Sequence, residues 1–189
     1  MALILASASP RRFELLKLIT KDFLVVTSQA DETLPSGILL PQAVMLLAQR
    51  KAEAVAVQHP GDVIIGADTI VALGDRIFGK PCDRGQAADM LAALSGKTHE
   101  VYTGVCICHA GKADCFCGIT GVTFAELNCQ EIADYVASGE PADKAGAYGI
   151  QGLGARFITG IAGDYYTVVG LPVQALYQAL RQKGLLASL

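Results

Sequence analysis

Charged residues are scarce in this 189-residue chain: Asp, Glu, Lys and Arg make up 17% of it, whereas apolar residues make up 52%. This composition excludes an intrinsically disordered protein and a coiled coil, because both need far more charge. No apolar run approaches the roughly 18 residues that a membrane-spanning helix needs. The apolar start, Met1–Ala6, has no basic flank before it, so we expect no cleaved secretory signal. These absences predict a soluble, cytoplasmic protein without a membrane partner.

A strongly basic surface is missing as well. The 15 Lys and Arg residues and the 18 Asp and Glu residues give a net charge of −3, and the isoelectric point is near 5.6. Because nucleic-acid binding needs a basic face, we expect no nucleic-acid partner, and any phosphate chemistry must use a few well-placed cations. The length suits a single domain, and no repeat or linker divides the chain. We therefore predict one domain over residues 1–189.

Several familiar site motifs are also absent from the sequence. It contains neither a Walker P-loop nor a dinucleotide-binding glycine motif, which argues against a kinase. The three histidines, His59, His99 and His109, lie far apart and form neither a metal-spaced pair nor an evident catalytic triad. We interpret them as having no part in function.

Four of the six cysteines form a regular pattern, Cys106-x-Cys108 and Cys115-x-Cys117. In a hairpin that pairs Cys108 with Cys115 and Cys106 with Cys117, all four side chains lie on one sheet face. They are either a thiolate metal site or small buried apolar residues. Zinc sites usually have two or more residues between paired cysteines, so the spacing favours buried, reduced thiols.

Short apolar runs alternate with amphipathic stretches along the chain. The predicted strands are Ala2–Ala6, Phe23–Val26, Val63–Leu73, Arg76–Phe78, His99–Cys108, Cys115–Leu127, Arg156–Ile161 and Tyr165–Val169, the last two forming a hairpin. Helices are predicted to begin near Ser9, Pro41, Asp83, Asn128 and Pro172, several of them with a capping residue or proline at the start. This mixture predicts an α/β fold with a mixed, twisted sheet.

The segment Ser9-Pro10-Arg11-Arg12 places two guanidinium groups in the first turn of a helix that follows a strand. Helix starts favour anions, and arginine matches phosphate oxygens in geometry, so we interpret Ser9, Arg11 and Arg12 as phosphate-binding residues. The alternative is an exposed basic helix end, although arginine there opposes the helix dipole.

Asp68 interrupts a strongly apolar strand, next to the small residues Gly66 and Ala67. A carboxylate is costly to bury unless it is paired or binds a metal, so Asp68 is predicted to be a general base or metal ligand. The alternative is a bulge in which Asp68 caps a neighbouring backbone group.

Three lysines and a glycine-rich loop complete the candidate site. Lys51 lies on the second helix, Lys80 lies between Gly79 and Pro81, and Lys144 is the second residue of a glycine-rich loop, Asp143–Gly154. Each lysine alone is more often a solvated side chain. Together with the arginines and with carboxylates at 31, 32 and 68, they suit a metal-bound polyphosphate.

In order along the chain, six short motifs resemble the Maf family of nucleoside triphosphate pyrophosphatases: the Ser-Pro-Arg-Arg segment, Gly66–Thr69, Gly79–Pro81, Leu94–Gly96, Asp143–Gly152 and Val169–Pro172. The resemblance extends from about residue 3 to residue 183. It implies a two-lobed α/β structure with a long twisted mixed sheet, flanking helices and a central cleft, often dimeric.

The resemblance also implies an enzyme of nucleotide metabolism, a hydrolase that cleaves a nucleoside triphosphate between its α and β phosphates. It implies that Asp68 is the proton acceptor, links Arg11, Thr69 and Gln151 to base choice, and places Glu32, Lys51 and Lys80 in the site. Our own hypothesis is that Asp68 and Glu32 bind Mg²⁺ or Mn²⁺. We predict that the substrate is bound by Ser9, Arg11, Arg12, Lys51, Thr69, Lys80, Lys144 and Gln151. Which carboxylate is the base and which the metal ligand stays open. The alternative function is a non-catalytic nucleotide-binding regulator of cell division.

Within the family, the resemblance is to the dTTP/UTP pyrophosphatases. The branch that acts on 7-methyl-GTP has tryptophan, glutamine and glutamate where this chain has Arg11, Thr69 and Gln151. A 7-methylguanine ring is cationic and would be repelled by Arg11. Uracil and thymine are neutral and present an N–H between two carbonyls, which the Gln151 amide matches because it both donates and accepts hydrogen bonds.

Overall fold

The computed structural model of the chain describes residues 1–186. The helices are α1 (Pro10–Leu16), α2 (Leu40–Ala56), α3 (Arg84–Leu94), α4 (Cys129–Ala137), α5 (Tyr165–Val169) and α6 (Val173–Gln182). The strands are β1 (Leu3–Leu5), β2 (Leu24–Val25), β3 (Val63–Leu73), β4 (Arg76–Phe78), β5 (Thr98–His109), β6 (Lys112–Phe124) and β7 (Ile158–Ala162). Three 3-10 helices lie between α4 and β7, over Glu140–Asp143, Ala145–Ala147 and Leu153–Phe157.

The strands form one seven-stranded sheet in the order β2-β1-β3-β5-β6-β7, with β4 paired to β3. β1 is parallel to both β2 and β3, whereas β4 is antiparallel to β3 and β7 is antiparallel to β6. The sheet is therefore mixed, and the predicted α/β class is confirmed. Among residues 1–186, no helix combines the length and hydropathy needed to span a membrane.

The chain divides into two compact units. Unit 1 consists of Met1–Asp68, Thr103–Gly118 and the chain from Gly170, and unit 2 of Thr69–Tyr102 and Ile119–Val169. That both units belong to one domain over residues 1–189, and that a central cleft is present, remain predictions.

Unit 1 has its core where α2 packs on the sheet. Buried apolar residues from β1, α2, β3 and β5 meet there: Ile4, Ala6, Ala48, Ala52, Val55, Ile64, Cys106 and Cys108. Two glycines allow the close approach. A Cβ at Gly66 would overlap the Ala48 carbonyl oxygen, and one at Gly104 would overlap the Val44 backbone, so neither position of the sheet accepts a side chain.

Unit 2 has a core rich in aromatic rings. Phe124 packs against Tyr148 with ring centroids 4.8 Å apart, and Tyr135 packs against Phe157 at 5.0 Å. His99 is 1% exposed and lies within this cluster, where its Nε2 is 2.8 Å from the Tyr148 hydroxyl. Burial lowers the pKa of His99 to about 4, which keeps its ring neutral at physiological pH.

The predicted hairpin at the end of unit 2 is wrong. Tyr165–Val169 is the short helix α5, and β7 pairs with β6 instead. Asp164 starts this helix: its Oδ2 accepts hydrogen bonds from the Thr167 backbone N–H at 2.7 Å and from the Thr167 hydroxyl at 2.8 Å. A side-chain cap of this kind outweighs the high strand propensity of the Tyr-Tyr-Thr-Val-Val sequence.

The predicted register of the cysteine hairpin is also wrong. β5 and β6 are joined by only two residues, Ala110 and Gly111, whose φ values of 48° and 74° allow a tight turn. This turn pairs Cys106 with Cys115, and the Cys106 thiol also lies 3.8 Å from Cys108 Sγ. Hydrogen bonds to both thiols, followed by burial, raise the pKa of Cys106. Within residues 1–186, no group of three or more His, Cys, Asp or Glu side chains is arranged to hold a metal ion.

Candidate active site

The centre of the candidate site in unit 1 is Lys51, which lies between two carboxylates. Its Nζ donates to Asp68 Oδ1 at 2.5 Å and lies 2.7 Å from Glu32 Oε1. The Lys51 and Asp68 side chains are 15% and 14% exposed, whereas Glu32 is 65% exposed. Charges act more strongly on each other when water is largely excluded, so Lys51 and Asp68 form the tighter pair.

The packing of α2 on β3 explains why Lys51 reaches Asp68. Ala48 and Ala52 are fully buried, and the missing side chain at Gly66 lets the helix lie directly on the strand two residues before Asp68. Lys51 lies between these two alanines in the sequence, and its ammonium contacts the Asp68 carboxylate. A polar residue in this apolar strand is therefore paired, as its cost of burial requires.

Ser9 and Arg12 organise the start of α1, also in unit 1. Ser9 is the N-cap of the helix, and its hydroxyl accepts a hydrogen bond from the Arg12 backbone N–H at 3.5 Å. The Arg12 guanidinium donates through Nε to the Gly170 carbonyl oxygen at 2.9 Å and through Nη1 to Ser7 Oγ at 3.4 Å. These contacts fix the direction of the guanidinium.

Arg12 interacts electrostatically with the carboxylates around Lys51. Burial lowers the pKa of Arg12, and the charge of Arg11 lowers it further, whereas the charges of Asp68 and Glu32 oppose this shift. Arg12 therefore lies within electrostatic range of Arg11 and of Asp68 and Glu32, the two carboxylates that Lys51 contacts.

Sequence reasoning missed Arg50, which holds the loop that contains Glu32. Its Nη1 donates to the Thr33 carbonyl oxygen at 2.6 Å and to the Asp31 carbonyl oxygen at 3.2 Å. Asp31 in turn accepts the Thr33 N–H at 2.9 Å, and hydrogen bonds from Thr33 lower the pKa of Asp31. Arg50 Nη1 also lies 3.8 Å from Asp31 Oδ2, but its hydrogen bonds go to backbone oxygens, which no residue type in the loop indicates.

Unit 2 contains Thr69, Lys80, Lys144 and Gln151. Lys80 is exposed and follows Gly79, whose carbonyl oxygen accepts the Gly146 N–H at 3.1 Å. Lys144 donates to the Glu140 carbonyl oxygen at 2.6 Å and to Asp143 Oδ1 at 2.7 Å, so the structure gives it partners close by in the sequence. Its predicted contact with substrate stays a prediction.

Gln151 lies in the glycine-rich loop of unit 2 with its side chain exposed. The flanking backbone is tied to Glu140, which accepts the Leu153 N–H at 2.8 Å and the Gly154 N–H at 3.2 Å. Sequence reasoning missed Glu140 as well. Its only signal was an acidic residue just before the loop, and two of the three donors to its carboxylate are backbone N–H groups.

The structure thus brings Lys51, Asp68 and Glu32 into direct contact and places Arg12 under their electrostatic influence. It anchors the backbone on both sides of Gln151 separately, within unit 2. The functional roles of all ten predicted site residues remain predictions that these contacts support to different degrees.

A solved structure supports the fold. The Ham1 protein of Staphylococcus aureus aligns with 96% of this chain and 98% of its own, with a TM-score of 0.56 and 14% sequence identity. At that identity the likeness shows a shared fold and nothing more.

Sequence relatives are much closer. A protein of Koribacter versatilis named dTTP/UTP pyrophosphatase is 50% identical over 186 residues, which cover 98% of this chain and 96% of that protein. A Bacillus cytotoxicus protein of the same name is 52% identical over 179 residues, covering 95% and 94% of the two chains. The family model described as Maf-like protein matches residues 2–183. These matches show that the chain belongs to the Maf-like protein family.

Proposed function

We propose that this protein hydrolyses dTTP and UTP to the nucleoside monophosphate and pyrophosphate. Relatives that are about half identical over nearly the whole chain are named dTTP/UTP pyrophosphatase. The structural observation that best supports the proposal is the contact of Lys51 with both Asp68 and Glu32. An enzyme that activates water beside a polyphosphate needs a carboxylate and a cation held together in this way.

The reaction needs one proton acceptor and several cations. Water attacks the α-phosphorus in line with the bond to the β-phosphate; a new P–O bond forms, the anhydride bond breaks, and pyrophosphate leaves. Asp68 accepts the proton of the attacking water. Arg12, Lys51 and Lys80 offset the charge of the phosphates, so catalysis is mainly positional and electrostatic.

Glu32 and Asp68 also suit a divalent cation. Mg²⁺ prefers oxygen ligands and is commonly bound by one or two carboxylates, with phosphate oxygens and water completing its shell. The two carboxylates, both in contact with Lys51 Nζ, provide such a donor pair. When bound, Mg²⁺ or Mn²⁺ would supply charge neutralisation and polarise the phosphate oxygens.

Base selection is assigned to Arg11, Thr69 and Gln151. The exposed Gln151 amide donates one hydrogen bond and accepts another, which matches the N–H and carbonyl edge of uracil or thymine. Arg11 disfavours a cationic base. Two further residues are assigned to substrate binding. They are Ser9, which caps the start of α1, and Lys144, which lies in the glycine-rich loop.

A panel of canonical and methylated nucleoside triphosphates, assayed for pyrophosphate release with Mg²⁺ or Mn²⁺, tests the proposal. We expect dTTP and UTP to be cleaved fastest and 7-methyl-GTP slowly. Binding of UTP without pyrophosphate release would favour the regulator of cell division, which the names of the relatives do not favour. The predicted homodimer and the cytoplasmic location are separate predictions, which sedimentation and fractionation would test.

A further inference from the structure

Glu140 lies at the centre of a hydrogen-bond network. The network holds the backbone before and after Gln151. Its Oε2 accepts the Leu153 N–H at 2.8 Å, and its Oε1 accepts the Gly154 N–H at 3.2 Å and the Tyr135 hydroxyl at 2.8 Å. Both carboxylate oxygens are therefore used, and two of the three donors are backbone groups of the loop.

Tyr135 extends the network to the other side of Gln151. Its side chain is fully buried, and its hydroxyl accepts the Gly149 N–H at 3.0 Å while donating to Glu140. The loop is thus held at Gly149, before Gln151, and at Leu153 and Gly154, after it. The Gln151 side chain is exposed between these fixed points.

The glycines of the loop leave room for this network. A Cβ at Gly152 would overlap the Glu140 carboxylate, and one at Gly154 would lie 2.7 Å from the Tyr135 hydroxyl. A loop with side chains at these positions would be pushed away from Glu140 and would lose its anchors.

The charge state of Glu140 suits this role. Partial burial opposes the ionised form, but hydrogen bonds from Leu153, Tyr135 and Gly154 outweigh it and lower the pKa of Glu140. An ionised carboxylate accepts hydrogen bonds at both oxygens, whereas a neutral amide accepts at only one.

We propose that Glu140 is a positioning residue for pyrimidine selection: with Tyr135 it fixes the backbone on both sides of Gln151, and so places the Gln151 amide for the base. The role in selection rests on the proposed function. The anchoring of the loop does not.

The test compares Glu140→Gln with the wild-type protein. Glutamine has the same size, but its NH₂ group faces a backbone N–H and cannot accept a hydrogen bond. We expect the KM for UTP and dTTP to rise about tenfold, the loss of roughly one hydrogen bond to a charged group, with kcat within about twofold. Inhibition by pyrophosphate, which has no base, should not change.

The matched control is Glu131→Gln, another glutamate of unit 2 that accepts a backbone N–H, that of Asn128, at 2.9 Å. Its KM values should equal those of the wild-type protein. If Glu140→Gln fails to fold, Tyr135→Phe removes the Gly149 anchor more gently and should also raise the KM for UTP.

Amide hydrogen exchange, followed residue by residue by NMR, provides a readout that does not depend on activity. In Glu140→Gln, the Leu153 and Gly154 amides should exchange at least about tenfold faster, whereas amides of α2 should not change. Unchanged exchange at both amides would overturn the anchor. Faster exchange with an unchanged KM, or with equal losses for UTP and pyrophosphate, would overturn the role in selection. Absence of UTP and dTTP hydrolysis by the wild-type protein would instead overturn the proposed function and, with it, the role in selection.

Discussion

The two units position their candidate site residues in different ways. In unit 1, charged side chains meet one another directly: Lys51 bridges Asp68 and Glu32, and Arg12 interacts with both carboxylates. In unit 2, one carboxylate, Glu140, holds backbone N–H groups of a glycine-rich loop. Side-chain charges suit chemistry on phosphates, whereas a fixed backbone suits the placement of a neutral amide. The comparison predicts that changes in unit 1 affect turnover and that changes in the unit 2 loop affect substrate choice.

The largest expected effect is that of Asp68→Asn. Without a carboxylate to accept the proton, kcat for UTP should fall well over a hundredfold, the order of a general-base contribution. Folding should be retained, because asparagine has the same size. Steady-state kinetics and circular dichroism would measure the two properties.

Asp75→Asn is the matched control for Asp68→Asn. Asp75 is exposed in the turn between β3 and β4, and its replacement should leave kcat unchanged. Near-normal turnover in Asp68→Asn would remove Asp68 from the mechanism.

Gly66→Ala tests whether the close packing of α2 on β3 is needed. The new Cβ would overlap the Ala48 carbonyl oxygen and lie 2.8 Å from the Ala52 backbone nitrogen, and backbone atoms cannot move aside easily. We expect the free energy of unfolding to fall by about 3 kcal/mol or more, the upper part of the range for overpacking. Urea denaturation would measure it.

The control for Gly66→Ala is Gly61→Ala, because nothing lies within 4 Å of a Cβ at Gly61. Equal stability of the two variants would show that the helix does not need the glycine contact.

His99 makes the stability of unit 2 depend on pH. The pKa of His99 is about 4 in the folded protein, against 6.5 for an ordinary histidine. Because the unfolded chain binds the proton first, stability from this residue is complete above about pH 6.5 and is lost as the pH falls towards 4. The loss amounts to about 3 kcal/mol.

Urea denaturation between pH 7 and pH 4 would measure this loss, and His99→Asn should remove that part of the slope. His59→Asn, at a half-buried position outside the aromatic core, is the matched control and should keep the slope. An unchanged slope in His99→Asn would contradict the assignment.

The smallest expected effect is that of Arg50→Ala. Loss of its bonds to the Asp31 and Thr33 carbonyl oxygens should loosen the loop that contains Glu32, without touching Lys51 or Asp68. We expect kcat/KM for UTP to fall about three- to tenfold, equivalent to about 1 kcal/mol. Steady-state kinetics would show it, and a loss as large as that of Asp68→Asn would mean that Arg50 itself acts on the substrate.

The sequence predicted features that depend on nearby residues. The helix starts predicted near Ser9 and Asn128 depend on caps that lie within a few residues, and the structure confirms both. The class of the fold followed from the alternation of such elements. Asp68 was noticed because a carboxylate in an apolar strand needs a partner, and that partner is Lys51.

Other features depended on contacts that the sequence does not display. Strand propensity favoured a strand at Tyr165–Val169, but a hydrogen-bonded cap by Asp164 produced a helix. The cysteine register depended on a two-residue turn in which Ala110 adopts a positive φ, which is unusual for alanine. Most hydrogen bonds of the Arg50 and Glu140 side chains go to backbone groups, which leave no residue pattern in the sequence.

The proposed attack of water on the α-phosphorus is tested most directly by following solvent oxygen during UTP hydrolysis. The reaction is run in water enriched in ¹⁸O, and the products are analysed by mass spectrometry. Attack on the α-phosphorus predicts that one ¹⁸O atom enters UMP and none enters pyrophosphate. Label in pyrophosphate or in free phosphate would contradict the proposed chemistry at Asp68.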